Sequence, residues 1–240
     1  MSYKRYLACS CSHGDFIDPE ARDAILKFKK LWKPHTTLHL GDFVDLAALR
    51  KGAQADVNSK DRARSISDDV DAGVAFLYEL GPNHILFGNH EARVSELSSS
   101  PNALASRAAQ SVLDEVDQCA RKLKAKLYPY TVRSCVTLGD VKFLHGFLHN
   151  VAALRDTSET FGCRIVMGHI HRTGIERART IAGASGYGCG MLRDFTPDYA
   201  ATKRQTLAWS QGFVFGEYND QHCTVNIVER YYGQPWRLPV

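Results

Sequence analysis

The chain has 240 residues, of which 44% are hydrophobic, and a formal net charge of +4. These values are typical of a globular protein of one or two domains, and they argue against disorder, collagen-like repeats or a coiled coil. The weak positive charge allows an anionic substrate without requiring a nucleic-acid partner.

The cysteines and the N-terminus indicate a reducing compartment. The seven cysteines are odd in number, irregularly spaced and free of any CxxC pair, so a disulfide framework is not expected. The first residues turn polar at Ser10 without an apolar core, which excludes a secretion signal. The longest apolar stretch free of charge, residues 180–192, is too short to span a bilayer. We therefore expect a cytoplasmic protein with no membrane partner.

The first half of the chain alternates predicted strands and helices. Strands are predicted at residues 4–9, 36–40 and 83–87. Between them, an aspartate followed by a proline at positions 18 and 19 begins one helix. Apolar residues at spacings of three and four, from Ile66 to Leu80, indicate the next helix. This β-α-β-α-β order implies parallel strands.

The middle of the chain is predicted to be helical and the remainder mainly β. We interpret residues 99–126 as a helical insert, which could form a lid or a dimer contact, so an oligomer is left open. Gly139-Asp140 predicts a hairpin between two strands. Further strands are predicted at 164–167, 174–181, 207–218 and 223–229, while the glycine-dense residues 183–190 are read as a loop near the site or an irregular segment. With no linker evident, residues 1–240 form one predicted domain.

Five short segments each follow a predicted strand and combine glycine with polar side chains. They are Cys11-Ser12-His13-Gly14, Gly41-Asp42-Phe43-Val44-Asp45, Gly88-Asn89-His90-Glu91, His145-Gly146 and Gly168-His169-Ile170-His171. Parallel strands deliver the loops at their carboxyl ends to one edge of a sheet, where active sites form. Glycine allows a sharp turn, so the side chain that follows it can point into such a site.

This ordered set resembles the calcineurin-like metallophosphoesterase superfamily, whose pattern is D-x-H, G-D-x-x-D, G-N-H-E/D, a later histidine before glycine, and G-H-x-H. Each motif alone is weak, but five in the correct order over residues 11–171 are specific. The form of the third motif, followed by Arg93, is most similar to small phosphoesterases of phages and bacteria. The resemblance implies an α/β fold in which two mixed β-sheets form a sandwich flanked by helices, a four-layer αββα arrangement.

The resemblance also implies a role for each motif residue. One metal ion would be held by His13, His171 and a bridging Asp42, and the second by Asn89, His145, His169 and the same aspartate. His90 would be the catalytic histidine beside the leaving group. Imidazole and carboxylate donors suit Mn, Fe, Ni or Zn better than Ca or Mg, and a shared carboxylate suits two ions roughly 3.5–4 Å apart.

Cys11 stands where the family pattern has aspartate. The cysteine could be a thiolate ligand, which would favour Fe or Zn. Alternatively, the first metal site is weakened, or Asp15 substitutes for the missing carboxylate. We favour the thiolate, because a metal ion and His13 nearby would lower the pKa of the thiol.

The resemblance implies hydrolysis of a phosphate ester by a metal-bound hydroxide. We predict a phosphodiesterase acting on a nucleotide or nucleic acid, with a phosphomonoesterase or phosphoprotein phosphatase as the alternative. A non-catalytic binding protein with a degenerate metal site is a third reading. Arg93 and Arg172 are predicted substrate contacts, because guanidinium matches phosphate oxygens. Arg93 is also predicted to be catalytic, by stabilising the charge that develops on those oxygens. Asp45 is expected to cap a helix or support a ligand, and Glu91 to begin a helix or orient the site.

Overall fold

A computed structural model describes residues 2–195 and 204–239. Its first sheet has six strands in the order β11-β10-β1-β2-β3-β4. The strands are β1 (Lys4–Cys9), β2 (Thr36–His39), β3 (His84–Leu86), β4 (Lys126–Tyr128), β10 (Gln211–Tyr218) and β11 (Asn226–Arg230). Strands β1 to β4 are parallel, as expected for the first three, and β10 and β11 add an antiparallel edge.

The second sheet has five strands in the order β5-β6-β7-β9-β8. They are β5 (Val136–Leu138), β6 (Val141–Leu144), β7 (Arg164–Met167), β8 (Thr173–Arg177) and β9 (Ser185–Cys189). The hairpin predicted at Gly139-Asp140 joins β5 to β6 in antiparallel register. Strands β6, β7 and β9 are parallel, so this sheet is mixed as well.

The residues that the structure describes form six α-helices. They are α1 (Pro19–Trp32), α2 (Lys51–Ala55), α3 (Ile66–Leu80), α4 (Asn89–Leu97), α5 (Ala103–Leu123) and α6 (Ala153–Phe161). Apolar residues of both sheets meet in a shared core that includes Tyr6, Leu38, Phe143 and Val166. Because α6 packs against the second sheet and the long helices against the first, the molecule has the predicted αββα layering.

The segment predicted as a helical insert is part of the sheet connection. Helix α5 buries Ala109, Val116 and Cys119 against α3 and the first sheet. It leads directly into β4, which pairs in parallel with β3. Helix α5 lies within the segment predicted to be helical, and β4 after it was not predicted, because three residues are too few for a hydrophobic alternation to be visible in the sequence.

Two further elements were not predicted, namely α6 and the glycine-rich strand β9. A Cβ atom at Gly186 would lie 2.2 Å from the carbonyl oxygen of Leu154 in α6, and one at Gly188 would lie 2.4 Å from that of Arg172. The glycines therefore permit close packing of a central strand, whereas glycine composition alone favours a loop. Among the described residues, no helix is both long and apolar enough to cross a bilayer.

Candidate active site

The five motif segments meet at one edge of the sandwich. Three of them follow β1, β2 and β3 of the first sheet, and two follow β6 and β7 of the second sheet. The site is therefore built across both sheets, at the carboxyl ends of their parallel strands, where such folds place their ligands. Hydrogen bonds between these loops, such as His13 N–H to the carbonyl of Asp42 at 3.0 Å, hold the segments together.

The first group of donor atoms joins Cys11, His13, Asp42 and His171. One donor atom from each lies within 4.8 Å of all the others, and all four residues are buried. The Nε2 atoms of His13 and His171 are 3.0 Å apart. The structure thus brings together the residues that the resemblance assigns to one metal ion, with the Cys11 side chain among them.

The second group joins Asp42, His145 and His169, again within 4.8 Å. The Nε2 atom of His145 lies 3.3 Å from Oδ2 of Asp42 and 3.2 Å from Oδ1 of Asn89. Asp42 belongs to both groups, and its Oδ1 accepts a hydrogen bond from the backbone N–H of His90 at 3.0 Å. The carboxylate is therefore fixed between the two donor groups.

The donor atoms of the second group fit a cation. Nδ1 of His145 donates to the carbonyl oxygen of Leu40 at 2.8 Å, so in a neutral ring Nε2 carries only a lone pair. That lone pair faces the oxygens of Asp42 and Asn89, an arrangement that requires positive charge between them. Burial alone would lower the pKa of His145, but the charge and hydrogen bond of Asp42, together with Glu91 and the Leu40 carbonyl, outweigh it, and the pKa is raised. Imidazole nitrogen and carboxylate oxygen are donors for divalent transition metals.

Asp45 orients the ring of His13 through a hydrogen bond on the side away from the donor group. The buried Nδ1 of His13 donates to Oδ1 of Asp45 at 2.8 Å, which orients the ring and leaves Nε2 facing the donor group. Burial would raise the pKa of Asp45, but the His13 hydrogen bond and the nearby positive charges hold it below its usual range. Asp45 also lies 3.3 Å from Nη1 of Arg193, a residue that the sequence analysis missed.

Arg193 is fully buried beside the first donor group. Its guanidinium lies over the ring of Phe16 at 4.7 Å, and its backbone N–H donates to the carbonyl of Cys11. Together with burial and His13, it lowers the pKa of His171. The sequence carries no signal for it, because Arg193 lies more than twenty residues after the last motif. Its contacts indicate a structural counter-charge for Asp45.

Two buried carboxylates hold the loops after β2 and β3, and the sequence analysis singled out only one of them. Glu91 accepts hydrogen bonds from the backbone N–H groups of Asp42, Phe43, Val44 and Gly88, at 2.7 to 3.2 Å. Burial and the nearby Asp42 raise the pKa of Glu91 to about 7.

The second of these carboxylates, Asp69, lies on α3. It accepts from the backbone N–H groups of Asp45 and Leu46, at 2.6 to 3.1 Å. Asp69 lies within a helix and belongs to no motif, so no signal in the sequence singles it out. Both carboxylates thus act on the backbone of the loops that carry the site.

His90 lies at the start of α4 and faces the donor groups. Its ring is 4.7 Å from that of His13, centroid to centroid. Nδ1 of His90 donates to the carbonyl oxygen of Asp45, so Nε2 faces the cavity, 3.8 Å from Oδ2 of Asp42. Burial lowers the pKa of His90 to about 3, so its ring is neutral at pH 7 in this structure.

The two predicted substrate arginines have different surroundings. Arg172 borders the site cavity, but its Nη2 donates to the carbonyls of Asn150 and Val151 at 3.1 and 2.6 Å. The Nη1 atom of Arg93 is buried and has no hydrogen-bond partner among the described residues. Arg172 thus holds a neighbouring loop, whereas Arg93 is available to a ligand.

The surroundings of Cys11 separate its three readings. Its thiol is fully buried, 3.1 Å from the hydroxyl of Ser10, and burial together with Asp42 raises its pKa well above the usual range. Asp15 forms an ion pair with Arg64 away from the donor groups, so the structure gives no support to Asp15 as a substitute ligand. The position of the Cys11 side chain fits both a thiolate ligand and a weakened first metal site.

Several residues of the site have an unusual, left-handed backbone conformation. Among the described residues, eight non-glycine residues have a positive φ angle, and five of them are in the donor groups: Cys11, His13, Asp42, His169 and His171, with φ between 54° and 62°. Such conformations cost roughly 1–3 kcal/mol each and concentrate at functional sites. This signal is independent of the motif pattern.

A cavity of about 200 Å³ opens over the donor groups. Beside the motif residues, it is lined by Trp209 and His149, whose rings lie 4.7 Å from His171 and 6.4 Å from His169, respectively. Trp209 was not expected at the site, because it precedes β10 and no motif contains it. The cavity gives a small anionic group access to both donor groups.

A known protein family and several solved structures resemble this chain. The model of the calcineurin-like phosphoesterase family matches residues 4–178. The chain is also similar to the solved structure of a metallophosphoesterase from Sphaerobacter thermophilus, with 16% identity and a TM-score of 0.48, over 96% of this chain and 90% of that one. It is similar as well to Yfce, a phosphoesterase from E. coli, with 16% identity and a TM-score of 0.41, over 92% of this chain and 98% of that one. A third similar structure is Vps29 from Entamoeba histolytica, with 13% identity and a TM-score of 0.45, over 95% of this chain and 94% of that one. No curated protein matches the sequence.

Proposed function

This chain belongs to the calcineurin-like phosphoesterase family and is a metal-dependent hydrolase of phosphate esters, and from that premise we propose that it is a phosphodiesterase acting on nucleotides or nucleic acid. The observation that carries the proposal is the pair of buried donor groups that share Asp42, with His90 beside them. Such a pair is the arrangement that two-metal phosphoryl sites use.

We propose two divalent transition-metal ions as cofactors. His13, Asp42, His171 and Cys11 would hold one ion, and Asp42, Asn89, His145 and His169 the other. When bound, the ions would supply positive charge for the phosphate oxygens and acidify water. A thiolate from Cys11 would make the first group the softer of the two, which favours Fe or Zn there over Mn.

His90 is the proposed catalytic residue. Its ring is oriented by the hydrogen bond to the carbonyl of Asp45, and its Nε2 faces the cavity. An anionic phosphate in the cavity would raise the pKa of this imidazole, because opposite charge favours the protonated form. His90 can then share a proton with the departing ester oxygen.

The charges around the cavity favour a diester over a monoester. A phosphate monoester is largely dianionic at neutral pH, since its second pKa is about 6, whereas a diester carries one charge. Arg172, the one cationic side chain lining the cavity among the described residues, already donates to two carbonyls, and Arg193 is buried against Asp45. Leu46, at the position where phosphoprotein phosphatases resembling this chain have arginine, is buried and apolar.

The test compares hydrolysis of bis-p-nitrophenyl phosphate and p-nitrophenyl phosphate by protein loaded with Mn, Ni, Fe(II) or Zn. We expect a higher kcat/KM for the diester with at least one metal. A preference for the monoester with every metal would overturn the proposal in favour of a phosphatase. Absence of hydrolysis by protein that retains two metal ions would instead support a non-catalytic binding protein.

A further inference from the structure

A second, larger cavity lies next to the site. This groove has a volume of about 750 Å³ and is lined by Leu49, Arg50, Arg93, Glu96, Leu97, Ser99, Ser100 and Pro101. The proposed catalytic chemistry at the two donor groups does not use it. Its volume lies in the range of cavities that enclose a small organic ligand, about 300–1,000 Å³.

Helix α4 relates the groove to the site, since it carries both His90 of the site cavity and Arg93 of the groove. Residues three and four apart on a helix lie on the same face, so Arg93 follows His90, and Leu97 follows Arg93. With a rise of 1.5 Å per residue, Arg93 lies roughly 5 Å further along the helix than His90. The end of the groove that Arg93 lines is therefore on the helix face that carries His90, and the charge of Arg93 is close enough to contribute to the lowered pKa of His90.

Arg93 is the residue that defines what this groove binds. Its Nη1 is buried without a hydrogen-bond partner, and no described carboxylate forms an ion pair with it. The residue is otherwise partly exposed, so the guanidinium can be reached from the groove. A buried N–H group without an acceptor is costly, and a pair of phosphate oxygens is the acceptor that planar guanidinium donors match best. Arg50, in contrast, is paired with Asp61. The other lining residues offer apolar surface from Leu49, Leu97 and Pro101.

We propose that the groove binds the leaving-group side of the substrate, and that Arg93 binds the next phosphate of a nucleotide chain. The scissile diester would lie over the donor groups, its departing oxygen beside His90, and the attached nucleoside against the apolar wall. Two serine hydroxyls at positions 99 and 100 can bond its sugar or base. This inference rests on the proposed phosphodiesterase function and makes Arg93 a determinant of specificity.

The test uses three dinucleotides that share one scissile bond, namely TpT, pTpT and TpTp. The products of TpT hydrolysis identify which nucleoside departs. We expect the isomer that carries its extra phosphate on that nucleoside to exceed TpT in kcat/KM by tenfold or more. In Arg93→Ala this advantage should fall below twofold, and in Arg93→Lys it should be partly kept. Equal rates for all three, or an advantage that survives Arg93→Ala, would overturn the proposal, as would an advantage confined to the other isomer.

Binding provides a readout that does not depend on turnover. With EDTA-treated protein, a fluorescent four-residue oligothymidylate should bind Arg93→Ala about tenfold more weakly than the wild type. The slope of log affinity against log salt should fall by about 0.7, the value for one phosphate contact on a single strand. Glu96→Gln, which removes the one carboxylate of the groove wall, should strengthen binding. Equal affinities of the wild type and Arg93→Ala would overturn the proposal.

The matched control is Arg121→Ala. Arg121 lies at the far end of α5, is exposed and pairs only with Asp117 on the same helix. The control should behave as the wild type in both assays. Failure of the proposed function is distinguishable, because a monoesterase would release inorganic phosphate from p-nitrophenyl phosphate, pTpT and TpTp but would leave the TpT linkage intact. The binding comparison would still decide whether Arg93 holds a phosphate.

Discussion

Nδ1 of His13 lies 2.8 Å from Oδ1 of Asp45, and neither side chain is exposed to solvent. Because this hydrogen bond sets the tautomer of His13, we expect Asp45→Asn to weaken metal binding about 10- to 100-fold. Competition with a fluorescent chelator measures that affinity. Asp194→Asn is the control, because Asp194 also contacts Arg193 but is half exposed. An unchanged affinity in Asp45→Asn would remove this residue from the support of the site.

Replacement of His90 separates chemistry from metal binding. His90→Ala should lower kcat by about 10²–10⁴, the usual contribution of a general acid or base. The metal content of this variant, measured by plasma emission spectroscopy, should match that of the wild type, because His90 belongs to neither of the two donor groups that share Asp42. His222→Ala, an exposed control, should keep full activity. Loss of a metal ion from His90→Ala would mean that this histidine is a ligand.

Cys11 can be tested by the spectrum of a cobalt-substituted protein. A thiolate ligand gives a near-ultraviolet charge-transfer band that oxygen and nitrogen donors lack, so the band should be present in the wild type and absent in Cys11→Asp. Cys163→Ser is the control, because Cys163 precedes β7 at the end of the strand opposite to the site. A wild-type spectrum without the band would favour the weakened-site reading, and metal content below two ions would support it further.

Glu91 should matter for stability as well as for activity. Glu91→Ala would leave four buried N–H groups without an acceptor, and each unsatisfied group costs about 1–3 kcal/mol. We expect a loss of at least about 3 kcal/mol in the free energy of unfolding, measured with urea. Glu96→Ala, on the exposed side of the same helix, should lose less than about 1 kcal/mol. Similar losses in both variants would contradict the anchoring role of Glu91.

Buried histidines should make the metal-free protein sensitive to acid. Burial lowers the pKa of His39 and His90 to about 3 and that of His169 to about 4. The unfolded chain, with histidine pKa values near 6.5, binds more protons than the folded chain as the pH falls below that value. The stability that these three histidines contribute is therefore complete above pH 6.5 and decreases from there to about pH 3 to 4. Glu91 and Asp69, whose pKa values are raised to about 7 and about 6, act in the opposite direction over part of this range.

Each such histidine contributes a slope of about 1.4 kcal/mol per pH unit within that window. Urea unfolding of EDTA-treated protein between pH 7 and pH 4 measures the total slope. His39→Gln should reduce it by about one proton, because His39 is fully buried and hydrogen-bonded to Ser12. The same slope in the wild type and in His39→Gln would contradict the burial of a neutral His39.

The parts of the fold that repeat a local pattern could be predicted from the sequence. The helix over Ile66–Leu80 and the strand over Arg164–Met167 have the predicted bounds, since apolar periodicity and a run of β-branched residues are local signals. Strands β4 and β9 could not be predicted in this way. A strand of three residues has no periodicity, and the glycines of β9 reflect the close approach of α6, which only the folded chain contains.

The same division applies to the site. The donor residues lie in turns whose spacing is a local pattern, so they could be singled out before the structure. Arg193, Asp69 and Trp209 reach the site from helices and loops without a motif, and their roles depend on contacts over long stretches of chain. The groove lined by Arg93 depends equally on how α4 packs beside the loop at Leu49.

The left-handed backbone at Cys11 limits which residues could have occupied this position. Aspartate and asparagine adopt a positive φ angle more readily than other side chains, and β-branched residues adopt it least. An exchange between cysteine and aspartate is therefore expected to keep the loop in place, whereas valine or threonine would distort the turn. With Cys11 as the ligand that we propose, a single substitution at this position would change the donor atom, and with it the metal preference, without any redesign of the fold around it.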